Sequence, residues 1–416
     1  MLSLYSQLKT MILSRSVVIK KVFGKRFNID LFIEVMSKLE NIRILIVGAG
    51  IAGSALFRRL KAQGHQVDII EKSPTLTNEG AAICLPANAM IELKKLDLVD
   101  QVMACAHQVE QIEYALSNGK TLAKASLNDA PLNKAPFVAL KRDALMNILR
   151  KDIAKEITLD TCLTDIEHTD EGATVTFNNG HTQHYDLVVG ADGINSHVRG
   201  IIQPDTPLLK HTVTNWRFIT QKPSQDFQPV YYVGDTSLFM IYPISNEEVY
   251  CYGHVIDPTG QYSAMPVKTA LNAVFANYAA PIKHCLDNMP DNDHIIRGGL
   301  KSVAKTESVY NNVVLIGDAL HGCPPSLQQG AGMSLEDVNC LADQLADNQV
   351  DIKLALENYQ QARSARVAWT VQESNKIIKL AGLGQSFIGR LVRNFIIRRT
   401  GPANVVGWRK LLAEKI

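Results

Sequence analysis

The chain has 416 residues, 46% of them hydrophobic and 20% charged, with 43 Lys and Arg against 41 Asp and Glu for a formal charge of +2. That balance excludes a strong nucleic-acid footprint. Seven cysteines without a CxxC pair fit a reducing, cytoplasmic setting, not a disulfide scaffold or metal centre, and no apolar stretch is long enough to span a bilayer.

The first 35 residues carry Lys9, Arg15, Lys20, Lys21, Lys25 and Arg26 before the first acid, Asp30. Two readings stand. One is a transit peptide or membrane-surface helix; the other, which we favour, is a translated upstream stretch with Met36 as the true start. Residues 1–40 are therefore set aside as an extension.

From Ile42 the pattern sharpens. Ile42 to Val47 is a short β-branched run of the kind buried on both faces of a sheet. Gly48, Gly50 and Gly53 follow as GxGxxG, a helix is expected from about Ala52 to Ala62, and a second strand, Val67 to Ile70, ends in Glu71. Strand, glycine turn, helix, strand and acid together spell a dinucleotide-binding βαβ unit, the acid placed for ribose hydroxyls.

A helix is expected over Asn88–Leu98, a strand over Gln111–Ser117 and a helix over Arg142–Ala154. A hairpin turning at Asn178-Asn179-Gly180 follows, then a buried strand, Asp186–Val189. From Lys210 to Pro258 three strands (Val230–Val233, Leu238–Tyr242 and Val249–His254) read as an antiparallel sheet. Residues 267–288 read as helical, Val313–Ile316 as another buried strand, and Gly332 to about Arg399 as mostly helical. The fold class is α/β: a Rossmann-like βαβ domain interrupted by an antiparallel β-sheet domain and finished by C-terminal helices. The expected partition assigns 41–110, 136–205 and 296–345 to the first domain, 111–135 and 206–295 to the second, and 346–416 to the helical region.

Three strand ends carry turn motifs: GAGIAG after the first strand, GADGINSHVR at 190–199, and IGDALHGCPPSLQQG from 316 to 330. Ligands of open α/β sheets bind at such carboxyl ends. In their order and spacing these motifs resemble the single-component FAD-dependent monooxygenases of the aromatic-hydroxylase fold, over roughly residues 42–345.

The resemblance implies non-covalent FAD, NAD(P)H as co-substrate, and O2 adding to reduced flavin as a C4a-hydroperoxide that hydroxylates a small aromatic or polyketide-like molecule. It implies cofactor contacts from Gly48, Ala49, Gly50, Ile51, Ala52 and Gly53, from Glu71 and Lys72, and from Arg142. Asp192 and Gly193 are implied near the pyrophosphate, Asp318 at the ribityl chain, Pro325 facing the isoalloxazine, and Gly330, Ala331 and Gly332 at a helix start able to stabilise an anionic flavin. Residues 80–96 resemble the segment beneath the flavin. One departure stands out: the usual GQG ending is Gln328-Gln329-Gly330 here.

Arg217, Tyr231 and Tyr242 are substrate candidates on the presumed substrate sheet, while no catalytic acid or base is assigned. His321 is expected to make a structural bond, and Cys323 to be inert filler. The segment 376–399 mixes six basic residues with Ile377, Ile378, Leu380, Phe387, Ile388, Leu391 and Phe395; packing onto the FAD domain is favoured over a membrane-surface role. Stable membrane insertion is not expected, and a monomer or homodimer is. Two other functions remain open at this stage: a flavin reductase of isoprenoid double bonds, and a non-catalytic FAD-binding regulatory module.

Overall fold

A computed structural model describes residues 42–76, 80–346 and 351–413; the extension and its expected start at Met36 lie outside the described residues. Strand β1 (Arg43–Val47), helix α1 (Ile51–Ala62) and strand β2 (Gln66–Ile70) form the expected βαβ unit. Ile44, Leu45 and Ile46 are fully buried, because one sheet face packs on helices and the other on a further sheet.

The chain continues through β3 (Ala82–Leu85), α2 (Ala87–Lys94), β4 (His107–Val109), β5 (Gln111–Leu116), β6 (Thr121–Ser126), β7 (Phe137–Lys141) and α3 (Arg142–Arg150). Then come β8 (Ile157–Thr158), the meander β9 (Leu163–Thr169), β10 (Gly172–Phe177) and β11 (Thr182–Tyr185), and β12 (Leu187–Gly190). A short helix, α4 (His197–Ile202), leads into β13 (Leu208–Gln221), β14 (Val230–Val233), β15 (Ser237–Pro243) and β16 (Glu248–Ile256). The helical stretch expected at 267–288 is two helices, α5 (Val267–Phe275) and α6 (Ala280–Asp287), followed by β17 (Ile296–Val303), β18 (Val309–Tyr310) and β19 (Val313–Leu315).

Two sheets dominate. The first runs β18-β19-β12-β1-β2-β8 and is parallel except for the β18–β19 pair. Its central neighbours β19, β12, β1 and β2 all point the same way, so their carboxyl ends share one edge. The second runs β17-β13-β16-β15-β14-β5-β6 and is antiparallel apart from β14 beside β5. The expected partition returned to the first domain at 296. β17 instead pairs with β13, so the second sheet keeps the chain to Val303.

Alternation gives the second sheet two faces. Trp216, Phe218, Phe239 and Cys251 are fully buried in one cluster with Leu271 and Phe275 of α5 and Ile282 and Cys285 of α6. Arg217, Tyr231, Met240, Tyr250 and Tyr252 point to the other side, toward the first domain.

The C-terminal region is helical: α7 (Gly330–Gln344), α8 (Ile352–Gly382), α9 (Phe387–Thr400) and α10 (Ala403–Ala413). The last of these falls within the helical region assigned to 346–416, past the run read as mostly helical to about Arg399. The expectation for 376–399 is corrected in part. α9 packs against β6 of the second sheet, burying Arg393 and Ile397, while Phe387, Ile388, Leu391 and Phe395 remain exposed.

Candidate active site

The three turn motifs meet because β1, β12 and β19 are neighbours. Gly48 sits at φ +102°, and a Cβ there would lie 2.6 Å from the Ala191 carbonyl oxygen, so only glycine lets the first two turns touch. A Cβ at Gly317 would lie 3.0 Å from the Ala52 Cβ, which places the third turn against the start of α1. At Gly53 the Gly48 carbonyl oxygen would be only 1.9 Å away, whereas at Gly50 no atom lies within 4 Å. Gly53 thus closes helix on turn, and Gly50 faces open space where a ligand's backbone can approach.

The turn is held from behind. Ala49 donates its N–H to Glu71 Oε2 at 2.9 Å, and its carbonyl oxygen accepts from Ser54 Oγ and from Arg150 Nε, each at 3.0 Å. Glu71 Oε1 accepts from Ser73 N at 3.1 Å. Among the described residues each carboxylate oxygen thus accepts one hydrogen bond, and a second lone pair on each could take a ligand hydroxyl. Arg150 is buried; desolvation lowers its pKa, and the nearby Glu71 opposes that. Lys72 is exposed beyond the strand end and does not line the cavity described below.

Asp192 does capping work. It accepts from Ser196 Oγ at 2.5 Å and from the N–H groups of His197 and Val198 at 2.7 and 3.1 Å, holding the start of α4. Gly193 beside it lines the cavity.

The third motif contains two aspartates with opposite settings. Asp318 is exposed on the cavity. Asp337 is fully buried and accepts from Gly317 N, His321 Nε2 and Arg363 Nε at 2.9, 2.8 and 2.8 Å. Burial would raise the Asp337 pKa, but Arg363 and His321 overcome it and hold it low. The structural bond expected of His321 is therefore made, to Asp337.

Between the two sheets lies a cavity of about 710 Å³. Gly50, Ile51, Ala52, Arg142, Gly193 and Asp318 line one part, together with Pro325, Gly330 and Ala331 at the start of α7. Ala82, Ile83 and Cys84 line it from the 80–96 segment, and Tyr114, Arg217, Tyr231, Met240, Tyr252 and His254 from the second sheet. Cys323 also faces it, its thiol pushed up to about 12 by burial, as suits an inert side chain.

Besides Lys72, both Gly332 and Tyr242 stand away from the cavity. Gly332 faces away from the cavity: a Cβ there would lie 2.8 Å from Asn88 Nδ2 and 2.9 Å from Gln329 Oε1. Tyr242 is fully buried behind Tyr231, their hydroxyls 3.1 Å apart, so it supports the wall without lining it. Tyr231 also accepts from Asn404 Nδ2 of α10 at 3.0 Å. Arg217 lies over the Tyr252 ring, 5.8 Å from its centroid.

At the altered GQG position, Gln328 takes φ +52°, the left-handed conformation that glycine adopts freely. The backbone demand of the motif persists although the glycine is gone.

A family model described as "FAD binding domain" matches residues 41–374. The chain belongs to the FAD-dependent monooxygenase family. Among curated relatives, aurachin C monooxygenase/isomerase of Stigmatella aurantiaca is 26% identical over 340 residues, 80% of this chain and 88% of that protein. The 2-heptyl-3-hydroxy-4(1H)-quinolone synthase of Pseudomonas aeruginosa is 28% identical over 367 residues, 85% and 93% of the two chains. A solved structure, Klebsiella pneumoniae HpxO complexed with FAD and uric acid, superposes with a TM-score of 0.80 at 22% identity, covering 89% of this chain and 97% of that one. The monooxygenase fold has the features FAD needs: open space at Gly50, an exposed carboxylate at Asp318, and the free N–H groups of a 15-residue helix opening at Gly330.

The sequence reading did not find four residues of this monooxygenase. Arg150 and Asp337 act on the motif turns from behind, and Asn404 reaches Tyr231 from the C-terminal helix α10. His254 lines the cavity, is 6% exposed, and has an Nδ1 without a hydrogen-bond partner among the described residues. Burial lowers its pKa to about 4. Only Arg150 left a signal, an arginine on the helix that follows the Arg142 motif residue.

Proposed function

We propose that the enzyme inserts one oxygen atom of O2 into a small, largely apolar aromatic molecule, with NAD(P)H as the reductant. The balance is substrate–H plus O2, NAD(P)H and a proton giving substrate–OH, water and NAD(P)+. The observation that carries this reading is a shared cavity: the glycine and Asp318 turns and the aromatic face of the second sheet line the same space. FAD, when bound, supplies two-electron reduction by nicotinamide and activation of oxygen.

The chain's own residues do the rest. Gly50, Arg142 and Asp318 would hold the cofactor, and the start of α7 presents N–H groups to negative charge developing beside it. Tyr114, Tyr231, Met240 and Tyr252 offer an aromatic and thioether wall that excludes water. Arg217 provides a polar contact able to orient a ring heteroatom or oxygen. The relatives named for aurachin C and an alkylquinolone favour a planar heteroaromatic with an apolar substituent, and they favour oxygenation over reduction of isoprenoid double bonds.

The test is a screen of quinolones, aminohydroxybenzoates and purines, following NAD(P)H oxidation, O2 uptake and product mass. We expect at least one compound to stimulate NAD(P)H oxidation and to gain one oxygen atom. A substrate reduced without oxygen consumption would instead support the reductase reading.

A further inference from the structure

Ten large hydrophobic side chains are exposed among the described residues, and five of them sit on α9: Phe387, Ile388, Leu391, Val392 and Phe395. Phe387 is 67% and Ile388 73% exposed. At roughly 100° per residue these five occupy about 140° of the helix circumference. Arg398 and Arg399, also exposed, fall in the same arc. The opposite side holds the helix to the body: Arg393 Nη1 donates to the Gly234 carbonyl at 2.8 Å, and Ile397 joins a cluster with Val405 and Trp408. The front of α9 is thus a contiguous apolar face on an anchored helix, which a soluble surface rarely leaves bare.

Charge identifies what fits it. Between residues 374 and 413 the sequence has eight Lys and Arg and no Asp or Glu. Asp235, an acid that approaches α9, is paired with Arg390. Apolar side chains with basic residues in the same arc suit an anionic lipid headgroup layer, where aromatics enter the acyl boundary and arginines meet phosphate. A second copy docked face to face would bring two acid-free basic segments together. Position adds a further link: Ile377, Ile378 and Ala381 of α8 line the cavity, and α9 begins six residues after Ala381.

We propose that α9 is an interfacial helix that seats the enzyme on an anionic bilayer without crossing it, next to the α8 wall of the cavity. No helix among the described residues is long and apolar enough to span a membrane. Where the enzyme sits is inferred from α9 alone; the idea that this location delivers an apolar substrate rests on the monooxygenase reading above.

The experiment is co-sedimentation of the FAD-loaded full chain with vesicles of phosphatidylcholine and phosphatidylglycerol, against phosphatidylcholine alone, at low and high salt. We expect salt-sensitive binding to the anionic vesicles. Phe387→Ser/Leu391→Ser/Phe395→Ser should abolish it. Arg398→Gln/Arg399→Gln should weaken it by roughly 30-fold, since each arginine near an anionic surface contributes about 1 kcal/mol. Flavin content and melting temperature should hold in both variants, which alter neither Arg390 nor Arg393. No binding, binding retained by both variants, equal binding to neutral vesicles, or a dimer that the triple variant dissolves would overturn the proposal. Because the readout is sedimentation, failure of the substrate screen leaves it unaffected.

Discussion

Arg150, on α3, donates from Nε to the carbonyl oxygen of Ala49 in the glycine turn, at 3.0 Å. The Ala49 peptide is therefore clamped between Glu71 at its N–H and Arg150 at its oxygen. That clamp fixes the direction in which Gly50 presents its backbone to the cavity.

Replacing Arg150 by Met removes charge-assisted bonds of about 1.5–3 kcal/mol and leaves Glu71 without its neighbouring cation. We expect FAD affinity to fall by roughly tenfold or more, read by flavin fluorescence on titration of the apoprotein. Arg150→Lys, which cannot reproduce the guanidinium's two-pronged approach, should recover only part of the loss. Wild-type affinity in Arg150→Met would show that the turn holds its shape without the clamp.

Asp318 and Asp337 should separate binding from folding. Asp318→Ala removes an exposed carboxylate, so the apoprotein should melt as the wild type does while the purified protein loses its yellow flavin. Asp337→Ala leaves the Arg363 guanidinium buried without one of its partners, a loss of about 3–5 kcal/mol when a buried pair is broken. It should yield little folded protein at all. Matched melting curves of the two apoproteins would contradict this division.

What the sequence shows and what it hides follow from the range of the interactions. The βαβ unit, the strands of the second sheet and the three turn motifs are local signals: a glycine turn, period-two alternation, a strand end. They are legible because neighbouring residues dictate them. Arg150 to Ala49 spans 101 positions and Asn404 to Tyr231 spans 173, and no local pattern encodes such pairs. Gly332 shows the opposite failure. The motif places it correctly at a helix start, but which way its missing side chain faces depends on Asn88, from α2. Likewise the exposed face of α9 is amphipathic in sequence, and periodicity alone does not tell which stripe meets the protein.

Gln328 offers a test of backbone strain. A non-glycine residue in the left-handed region costs about 1–2 kcal/mol, and the Gln328 side chain reaches toward Met240 Sδ at 3.9 Å and Asn404 Nδ2 at 3.5 Å. Gln328→Gly relieves the strain but loses those contacts and frees the unfolded chain. We expect denaturant stability within about 1 kcal/mol of wild type. Gln328→Val keeps the positive φ and adds a β-branch, the least tolerated side chain there, and should be less stable than Gln328→Gly by about 2 kcal/mol. Equal stability of the two variants would mean that the loop changes conformation when the glutamine is removed.

His254 makes the acid sensitivity of the second sheet predictable. Burial beside Tyr252 in the sheet holds its imidazole pKa near 4, against an ordinary 6.5. Between those values the unfolded chain binds a proton that the folded chain refuses, so this residue's contribution is complete above pH 6.5 and declines as pH falls toward 4. The whole difference is about 3 kcal/mol, of which roughly 2 kcal/mol is lost between pH 7 and pH 5. His65, His107 and His211 are also held low by burial and act in the same direction, so the quantity to measure is a difference between proteins. Denaturant titrations of wild type and His254→Gln at pH 7 and pH 5 should show the wild type losing about 2 kcal/mol more than the variant. Equal losses would place a proton or a solvent path on His254 in the folded enzyme.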